Sequence, residues 1–256
     1  MNYLGRLKRK LQEGQKTTGA WLFTPSTDMA EVIGGCNFDA IMIDQEHGPG
    51  VPGEAVAQHR AIRFAGDSST LIRIPWNDPV MVKKALDAGM EGIMFPCVNT
   101  AEEARKAVDA CYFPPRGSRG AGLSATHATR YGRMNEEYLQ KFEDNLLIIC
   151  QIETAQAVEN IEEIAAVDGV DMLFIGPYDL SGSIGKLGQF EDPEVKALYD
   201  RAVQKIKASG KWLGTISSGV EQSKRYFAQG HDFLLCASET SLVSTAADQL
   251  LSELTT

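Results

Sequence analysis

Basic residues are in the minority in this sequence. Its 256 residues include 25 lysines and arginines against 34 aspartates and glutamates, and the formal net charge is −9 at pH 7. Proteins that bind nucleic acid usually present a basic surface that neutralises phosphates. The acidic balance therefore excludes nucleic acid as an expected partner.

Cysteine and long apolar stretches are also scarce. The five cysteines include no C-x-x-C pair, so neither a disulfide framework nor a zinc knuckle is expected. No stretch approaches the roughly 18 apolar residues of a membrane helix. No apolar segment follows the basic residues Arg6, Lys8, Arg9 and Lys10, as it would in a secretory signal. We expect a cytoplasmic protein with no membrane partner, and these four side chains on a solvated helix face.

Eight short apolar runs, separated by amphipathic segments, recur along the chain. They cover residues 18–23, 40–43, 70–74, 92–95, 146–152, 172–175, 212–216 and 233–236. Strands that are apolar on both faces are typical of parallel sheets. Eight strands alternating with helices over about 250 residues predict an α/β fold, a (β/α)8 barrel, as a single domain over 1–256. A doubly wound open sheet is the alternative.

Helix signals stand between the apolar runs. Asp78-Pro79 and Asp192-Pro193 are helix starts in which a capping carboxylate precedes proline, and Gly210 suits the end of the second helix. Apolar stripes predict a further helix over 155–165 and a last one over 246–254. The longest irregular insert is predicted over 114–131, between the fourth and fifth strands.

Ionisable residues follow or end four of the predicted strands. In a barrel of this kind, chemistry lies at the C-terminal ends of the strands, so these residues share one rim. They are Asp44, Glu46 and His47 after the second strand, Arg73 in the third, Glu153 after the fifth and Asp179 after the sixth.

Glu153 and Asp179 are the candidate metal ligands. Two carboxylates on adjacent strands suit a hard divalent cation such as Mg²⁺ or Mn²⁺. Helix starts are also rich in carboxylates, so Glu153 could cap a helix and Asp179 could close a turn. Spacing alone favours this structural interpretation and leaves both open.

His47 and Arg73 can each be interpreted as a structural or as a catalytic residue. A lone histidine usually has a structural, hydrogen-bonded role, but the place of His47 beside Glu46 and Asp44 at a strand end raises the odds of acid–base chemistry. Arg73 lies within an apolar run, and a buried guanidinium requires an anionic partner. That partner is either a structural carboxylate or the anion of a substrate or enolate.

Several common catalytic motifs are missing or lack their context. Residues 120–125 match G-x-G-x-x-A but follow no strand, so a dinucleotide site is not expected. There is no G-x-S-x-G and no H-E-x-x-H. No lysine lies inside a strand run, which argues against a Schiff-base mechanism.

Six ordered motifs resemble the HpcH/HpaI family of class II, metal-dependent pyruvate aldolases over nearly the whole chain. They are Trp21, Ile43-Asp44-x-Glu46-His47-x-Pro49, Arg73 with Trp76-Asn77-Asp78-Pro79, Pro114-Pro115-x-Gly117-x-Arg119-Gly120, Gln151-Ile152-Glu153 and Gly176-Pro177-x-Asp179-Leu180-Ser181. The resemblance implies a (β/α)8 barrel whose C-terminal helix is exchanged between subunits of a hexamer, a trimer of dimers. It also implies reversible cleavage of a 4-hydroxy-2-oxo acid to pyruvate and an aldehyde, through a metal-bound pyruvate enolate.

The resemblance also implies roles for individual residues. Glu153 and Asp179 match the ligands of a divalent metal, Mg²⁺, Mn²⁺ or Co²⁺, and Arg73 matches the residue that binds the keto oxygen and steadies the enolate. His47 matches a base that works through a metal-bound water, and Asp87 matches its paired carboxylate. The residues that resemble the surroundings of metal and substrate are Gln151, Gly176, Pro177, Tyr178, Trp21, Asp44 and Glu46.

The half of the site that would receive the aldehyde departs from the family pattern. His127 stands where relatives carry an arginine, residues 215–218 form a more polar wall, and residues 237–239 replace a Gly-x-Asp pattern. The identity of the aldehyde is therefore not transferred.

Two other classes of function stay open. One is an enzyme on the same scaffold, either an oxaloacetate decarboxylase-like activity or a citrate-lyase-like acyl-CoA lyase. The other is a barrel that binds a 2-oxo acid without turning it over, because barrels support many functions. The grouping of ionisable residues at one rim favours an enzyme, a carbon–carbon lyase.

Overall fold

Eight parallel strands close into a barrel in chain order, with β1 hydrogen-bonded to β8. The computed structural model describes residues 6–255. The strands are β1 Thr17–Leu22, β2 Ala40–Asp44, β3 Ser69–Arg73, β4 Gly92–Phe95, β5 Leu147–Ile152, β6 Met172–Ile175, β7 Trp212–Ile216 and β8 Phe233–Ser238. Each of the eight apolar runs overlaps one strand. The predicted (β/α)8 barrel is confirmed, and the open sheet is wrong because the sheet closes.

Two apolar layers explain why the strand sequences are continuously apolar. Inward-facing side chains such as Met42, Leu71 and Phe174 fill the barrel. Outward-facing side chains such as Ile43 and Ile72 pack under the surrounding helices. Successive strand residues point to opposite faces, so burial of both faces removes any polar alternation.

Helices follow the strands around the barrel. They are α1 Arg6–Gln12, α2 Thr27–Gly34, α3 Pro52–Ala65, α4 Pro79–Asp87, α5 Ala101–Cys111, α6 Asn135–Asn145, α7 Ala155–Glu159, α8 Ile161–Ala165, α9 Pro177–Gly182, α10 Pro193–Ser209, α11 Gly219–Ala228 and α12 Glu239–Leu254. Asp78 and Asp192 accept backbone N–H bonds at the starts of α4 and α10. Gly210 ends α10 with φ 74°, as predicted.

The predicted helix over 155–165 is wrong in one respect. The structure divides it into α7 and α8 at Asn160, whose backbone lies at φ −93° and ψ 8°. The Asn160 side chain donates a hydrogen bond of 2.7 Å to the carbonyl of Asn99. This long-range bond fixes the break, and no apolar stripe could signal it.

Three aspartates at the N-terminal end of the barrel form a repeated arrangement, here called the lower ring. Asp39, Asp171 and Asp232 precede β2, β6 and β8. Each accepts a backbone N–H bond of 2.9 Å from the neighbouring strand. The lysine partners are Lys10 at 2.5 Å from Asp39, Lys8 at 3.1 Å from Asp171 and Lys16 at 2.9 Å from Asp232. The predicted solvated face of α1 is therefore partly wrong, because Lys8 and Lys10 are tied to this ring.

The last helix, α12, is predicted correctly but has few neighbours in its own chain. Glu239 is its buried residue. Its apolar side chains are between 48% and 73% exposed, namely Leu242, Val243, Leu250, Leu251 and Leu254. Among residues 6–255, no helix combines the length and apolar character that crossing a membrane requires.

Candidate active site

The alternation of the strands brings the candidate residues to one rim. Asp44 stands two residues beyond the inward-facing Met42, and Arg73 two beyond Leu71. Gln151 and Glu153 likewise continue the inward-facing line of β5. Because residues two apart share a face, these side chains all project over the C-terminal mouth of the barrel.

Arg73 is a buried cation held by two carboxylates. Asp44 and Arg73 are register partners on β2 and β3, and the guanidinium donates to both Asp44 oxygens at 2.8 and 2.7 Å. A third guanidinium nitrogen lies 2.9 Å from Glu46. The Trp21 ring lies 4.4 Å below the guanidinium carbon. This bidentate, stacked arrangement fixes the positive charge in place.

Glu153 is buried directly beyond β5. Its Oε1 accepts the backbone N–H of Cys97 at 2.6 Å, and its Oε2 accepts the amide of Gln151. Gly176 makes this possible, because a Cβ there would lie 2.8 Å from both the Gln151 amide nitrogen and Glu153 Oε2. Burial raises the pKa of Glu153, and the nearby negative charge of Asp179 raises it further, against the hydrogen bonds from Cys97.

Glu46 and Cys97 stand beside Glu153. One ligand atom from each of Glu46, Cys97 and Glu153 lies within 4.8 Å of the others. Burial raises the pKa of Glu46 and outweighs the attraction of Arg73, and Glu153 raises it too. Burial and the adjacent Glu153 raise the pKa of the Cys97 thiol to about 12.

Asp179 completes the acidic side of the rim from the first turn of α9. Its carboxylate is exposed, and its charge is felt by both Glu153 and Cys97. Tyr178, on the same turn, is 56% exposed and packs edge-on against Phe190 at 4.9 Å. We call Glu46, Cys97, Glu153 and Asp179 the rim cluster.

The residues of the rim cluster fit a divalent cation. Besides burial, the charge of Glu153 raises the pKa of Glu46, the charge of Asp179 raises the pKa of Glu153, and the buried cation beside them, Arg73, is already paired with Asp44. Gln151 adds a buried Oε1 that has no hydrogen-bond partner among the described residues. A cation would relieve the repulsion, and carboxylate and amide oxygens are the donors that hard cations take.

His47 and Asp87 do not meet within one chain. The His47 side chain is 63% exposed, and its Nε2 lies 3.9 Å from Glu46. Asp87 ends α4 and accepts a bond of 2.7 Å from Arg119. Among the described residues no hydrogen bond or ion pair joins His47 to Asp87. The predicted pairing is therefore not formed inside the chain, because the insert supplies Asp87 with a different partner.

The sequence reasoning missed Cys97. Cys97 stands two residues after the end of β4, at the same kind of strand end that named the carboxylates as candidates. Its backbone has φ 55°, a left-handed conformation that non-glycine residues adopt rarely. Applying the strand-end rule to the fourth strand as well would have found it.

The departures from the family pattern have structural partners. One buried Glu239 oxygen accepts the backbone N–H groups of Phe23 at 2.8 Å and Thr24 at 2.6 Å, so it ties the start of α12 to the loop after β1. Thr215 donates its hydroxyl to the Ile175 carbonyl at 3.0 Å. His127 packs edge-on against the His59 ring at 5.4 Å. Each of these three side chains therefore makes a contact within the chain that stabilises the fold.

Comparison with known proteins points to one family. The family model described as HpcH/HpaI aldolase/citrate lyase matches residues 17–246. A 4-hydroxy-2-oxo-heptane-1,7-dioate aldolase of Escherichia coli is 39% identical over 243 residues, which cover 95% of this chain and 92% of that protein. The sequence match therefore extends over the whole barrel and its rim.

Two solved structures agree with the fold in detail. A family protein from Burkholderia cenocepacia is 33% identical, with a TM-score of 0.94 over 98% of this chain and all of that one. An HpcH/HpaI aldolase from Desulfitobacterium hafniense is 31% identical, with a TM-score of 0.88 over 97% of this chain and 96% of that one. Both similarities cover the chain from end to end.

Proposed function

Because this chain belongs to the HpcH/HpaI aldolase/citrate lyase family, a family of carbon–carbon lyases, we propose that it cleaves a 4-hydroxy-2-oxo acid reversibly to pyruvate and an aldehyde. The observation that carries the proposal is the buried Arg73 guanidinium beside the rim cluster. Cleavage leaves negative charge on the keto oxygen of the pyruvate half. A fixed cation that needs no reorganisation stabilises this charge most effectively.

The chain's own residues position the oxo acid. Asp44 and Trp21 hold the Arg73 guanidinium in place, and we assign its charge to the enolate oxygen that develops during cleavage. Glu153 and Asp179 would hold a divalent cation, and Mg²⁺, Mn²⁺ and Co²⁺ all accept oxygen ligands. When bound, the cation supplies Lewis-acid polarisation of the keto group. Gln151 and the segment 176–178 form the wall beside the carboxylates.

Proton transfer falls to His47 in this proposal. Its imidazole is exposed, and its Nε2 lies 3.9 Å from Glu46, so the side chain is open to a substrate that enters from solvent. In the cleavage direction His47 takes the C4 hydroxyl proton and the C3–C4 bond breaks. Asp87 assists His47 only if a contact between two copies of the chain brings them together, because within one chain Asp87 binds Arg119.

The exposed apolar face of α12 supports association with another copy of the chain. Five large apolar side chains on this helix are at least 48% exposed. Large exposed apolar patches usually mark interfaces, and these five side chains lie on one helix. The proposal therefore keeps the exchange of this helix between subunits and the hexameric assembly as a trimer of dimers. It also keeps one barrel domain over 1–256 and a cytoplasmic location, in keeping with five free thiols.

Deuterium exchange into the methyl group of pyruvate tests the proposed chemistry without knowledge of the aldehyde. Metal-stripped protein is incubated with pyruvate in D₂O, with and without Mg²⁺ or Mn²⁺, and the methyl signal is followed by NMR. The proposal expects metal-dependent exchange, followed by aldehyde-dependent consumption of pyruvate. Folded, metal-loaded protein that shows no exchange would contradict it. Exchange without aldol turnover, combined with release of CO₂ from oxaloacetate, would favour a decarboxylase instead.

A further inference from the structure

Cys97 is the member of the rim cluster that the proposed aldol chemistry leaves without a role. Its backbone N–H is fixed on Glu153 Oε1 at 2.6 Å. Its Sγ and one carboxylate oxygen each of Glu46 and Glu153 lie within 4.8 Å of one another. The thiol is therefore close enough to both carboxylates for all three groups to bind the same cation.

The other four cysteines have different surroundings. Cys111 and Cys150 are fully buried in the apolar shell. Cys36 is exposed and contacts the Val32 carbonyl, and Cys236 contacts the Gly19 carbonyl at 3.6 Å. Cys97 thus differs from the other four cysteines because its thiol lies beside two carboxylates, at the C-terminal end of the barrel.

Gln151 gives an independent sign that this position receives a ligand. Its side chain is almost fully buried, at 3% exposure, and its amide nitrogen contacts Glu153 Oε2. Its Oε1 has no hydrogen-bond partner among the residues that the structure describes. A buried amide oxygen without a partner is costly, and a cation beside Glu153 would provide one.

The geometry points to Cys97 as a sulfur ligand of the cation at the rim cluster, so that this site prefers Co²⁺, Zn²⁺ or Cd²⁺ to Mg²⁺. The inference rests on the cation site of the proposed function. Soft thiolate ligands favour these cations, whereas an all-oxygen site favours Mg²⁺ and Mn²⁺. On binding, the S–H bond breaks, the proton passes to solvent and a sulfur lone pair forms the bond to the cation. Neither partner is oxidised or reduced.

Spectroscopy with Co²⁺ alone, and competition with Cd²⁺ and Mn²⁺, tests the inference apart from turnover. The wild type is compared with Cys97→Ser, Cys97→Gly and the matched control Cys36→Ser. Glycine accepts the positive φ at position 97 without strain, so this variant removes the thiol and keeps the backbone. Circular dichroism and thermal unfolding show that each variant is folded.

A sulfur ligand predicts a thiolate-to-cobalt charge-transfer band that saturates at one equivalent in the wild type and in Cys36→Ser. Both Cys97 variants should lose the band, and their affinity for Cd²⁺ should fall about 10- to 100-fold, as for other changes at metal sites. Their affinity for Mn²⁺ should stay within about threefold, because Mn²⁺ prefers oxygen. Binding of Co²⁺ without the band, or a band that survives in Cys97→Gly, would overturn this inference alone. If neither Mn²⁺ nor Co²⁺ binds, the cation site of the proposed function also falls.

Discussion

The two ends of the barrel use carboxylates in opposite ways. In the lower ring, each aspartate has its own lysine and its own backbone N–H. At the rim cluster, three carboxylates stand beside one arginine whose guanidinium is already shared between Asp44 and Glu46. Each carboxylate of the lower ring is paired with a lysine of the same chain. Among the described residues, Glu153 and Asp179 of the rim cluster have no such ion pair. In barrels of this kind chemistry lies at the C-terminal end of the strands, and it is at this end that the charges are left without partners in the described chain.

The incompleteness of the rim cluster has a thermodynamic consequence. Burial raises the pKa of both Glu46 and Glu153, so ionising them in the folded chain costs free energy. A bound cation offsets that cost. The lower ring needs no such ligand, since its lysines are supplied by α1 and the segment before β1.

The largest predicted difference between the two ends is in catalysis. Glu153→Gln should lower aldol cleavage and pyruvate methyl exchange by about 10³-fold or more, because it removes a carboxylate that would hold the cation. The metal-free protein should stay folded, since the substitution keeps the volume of the side chain and removes a buried acid, although the new amide can accept only one of the two N–H groups now bound by Glu153. Exposed Glu163→Gln is the matched control. Wild-type turnover in Glu153→Gln would remove the metal assignment.

Arg73→Lys should have the next largest effect. A lysine keeps the charge but loses the planar fork that binds both Asp44 oxygens and stacks on Trp21. We expect the rates of exchange and cleavage to fall about 10²-fold, as when one fixed donor to an oxyanion is lost. Exchange measured by NMR at saturating metal checks this. A rate within about threefold of wild type would show that Arg73 does not stabilise the enolate.

Asp39→Asn should disturb stability instead of catalysis. The amide oxygen can still accept the Thr18 N–H, but the ion pair with Lys10 is lost. The free energy of unfolding should fall by about 1–3 kcal/mol, while turnover per folded molecule stays within about twofold. Urea unfolding and a double-mutant cycle with Lys10→Met measure the pair. A catalytic loss without a loss of stability would reverse the roles given to the two ends.

The smallest expected effect is a pH dependence of metal-induced stabilisation. The pKa of Glu46 and of Glu153 is raised on folding, so their contribution to stability is present at low pH and is lost as pH rises through the raised values. Protons compete with the cation for the same oxygens. The melting-temperature gain from saturating Mn²⁺ should therefore grow as the pH rises through the raised pKa values of these two carboxyl groups. A gain that is constant or falls with pH would contradict this.

The barrel could be predicted from the sequence because each strand is buried on both faces and is therefore a short, continuous apolar run. The strand-end rule then named Arg73, Glu153 and Asp179 as candidates, and their roles stay predictions. The break at Asn160 could not be predicted, since it depends on a carbonyl 61 positions away. The separation of Asp87 from His47 depends in the same way on where the insert places Arg119.

Two features needed the three-dimensional structure for a further reason. The strand-end rule could have named Cys97, but the approach of this residue to Glu153 depends on its positive φ and on the hydrogen bond from its N–H to Glu153 Oε1. The apolar stripe of α12 predicted a helix correctly, but a stripe does not say what covers it. In the described chain the apolar side chains of α12 are exposed. The sequence pattern predicts the helix but does not identify the surface that would pack against it.

Binding of Mn²⁺, measured by electron paramagnetic resonance on metal-stripped protein, tests the central claim most directly. Wild type, Glu153→Gln and Asp39→Asn are compared at the same protein concentration and pH. If the rim cluster is the cation site and the lower ring is structural, wild type and Asp39→Asn bind one Mn²⁺ per chain with similar affinity, and Glu153→Gln loses that site. Unchanged binding in Glu153→Gln, or loss of binding in folded Asp39→Asn, would contradict the account.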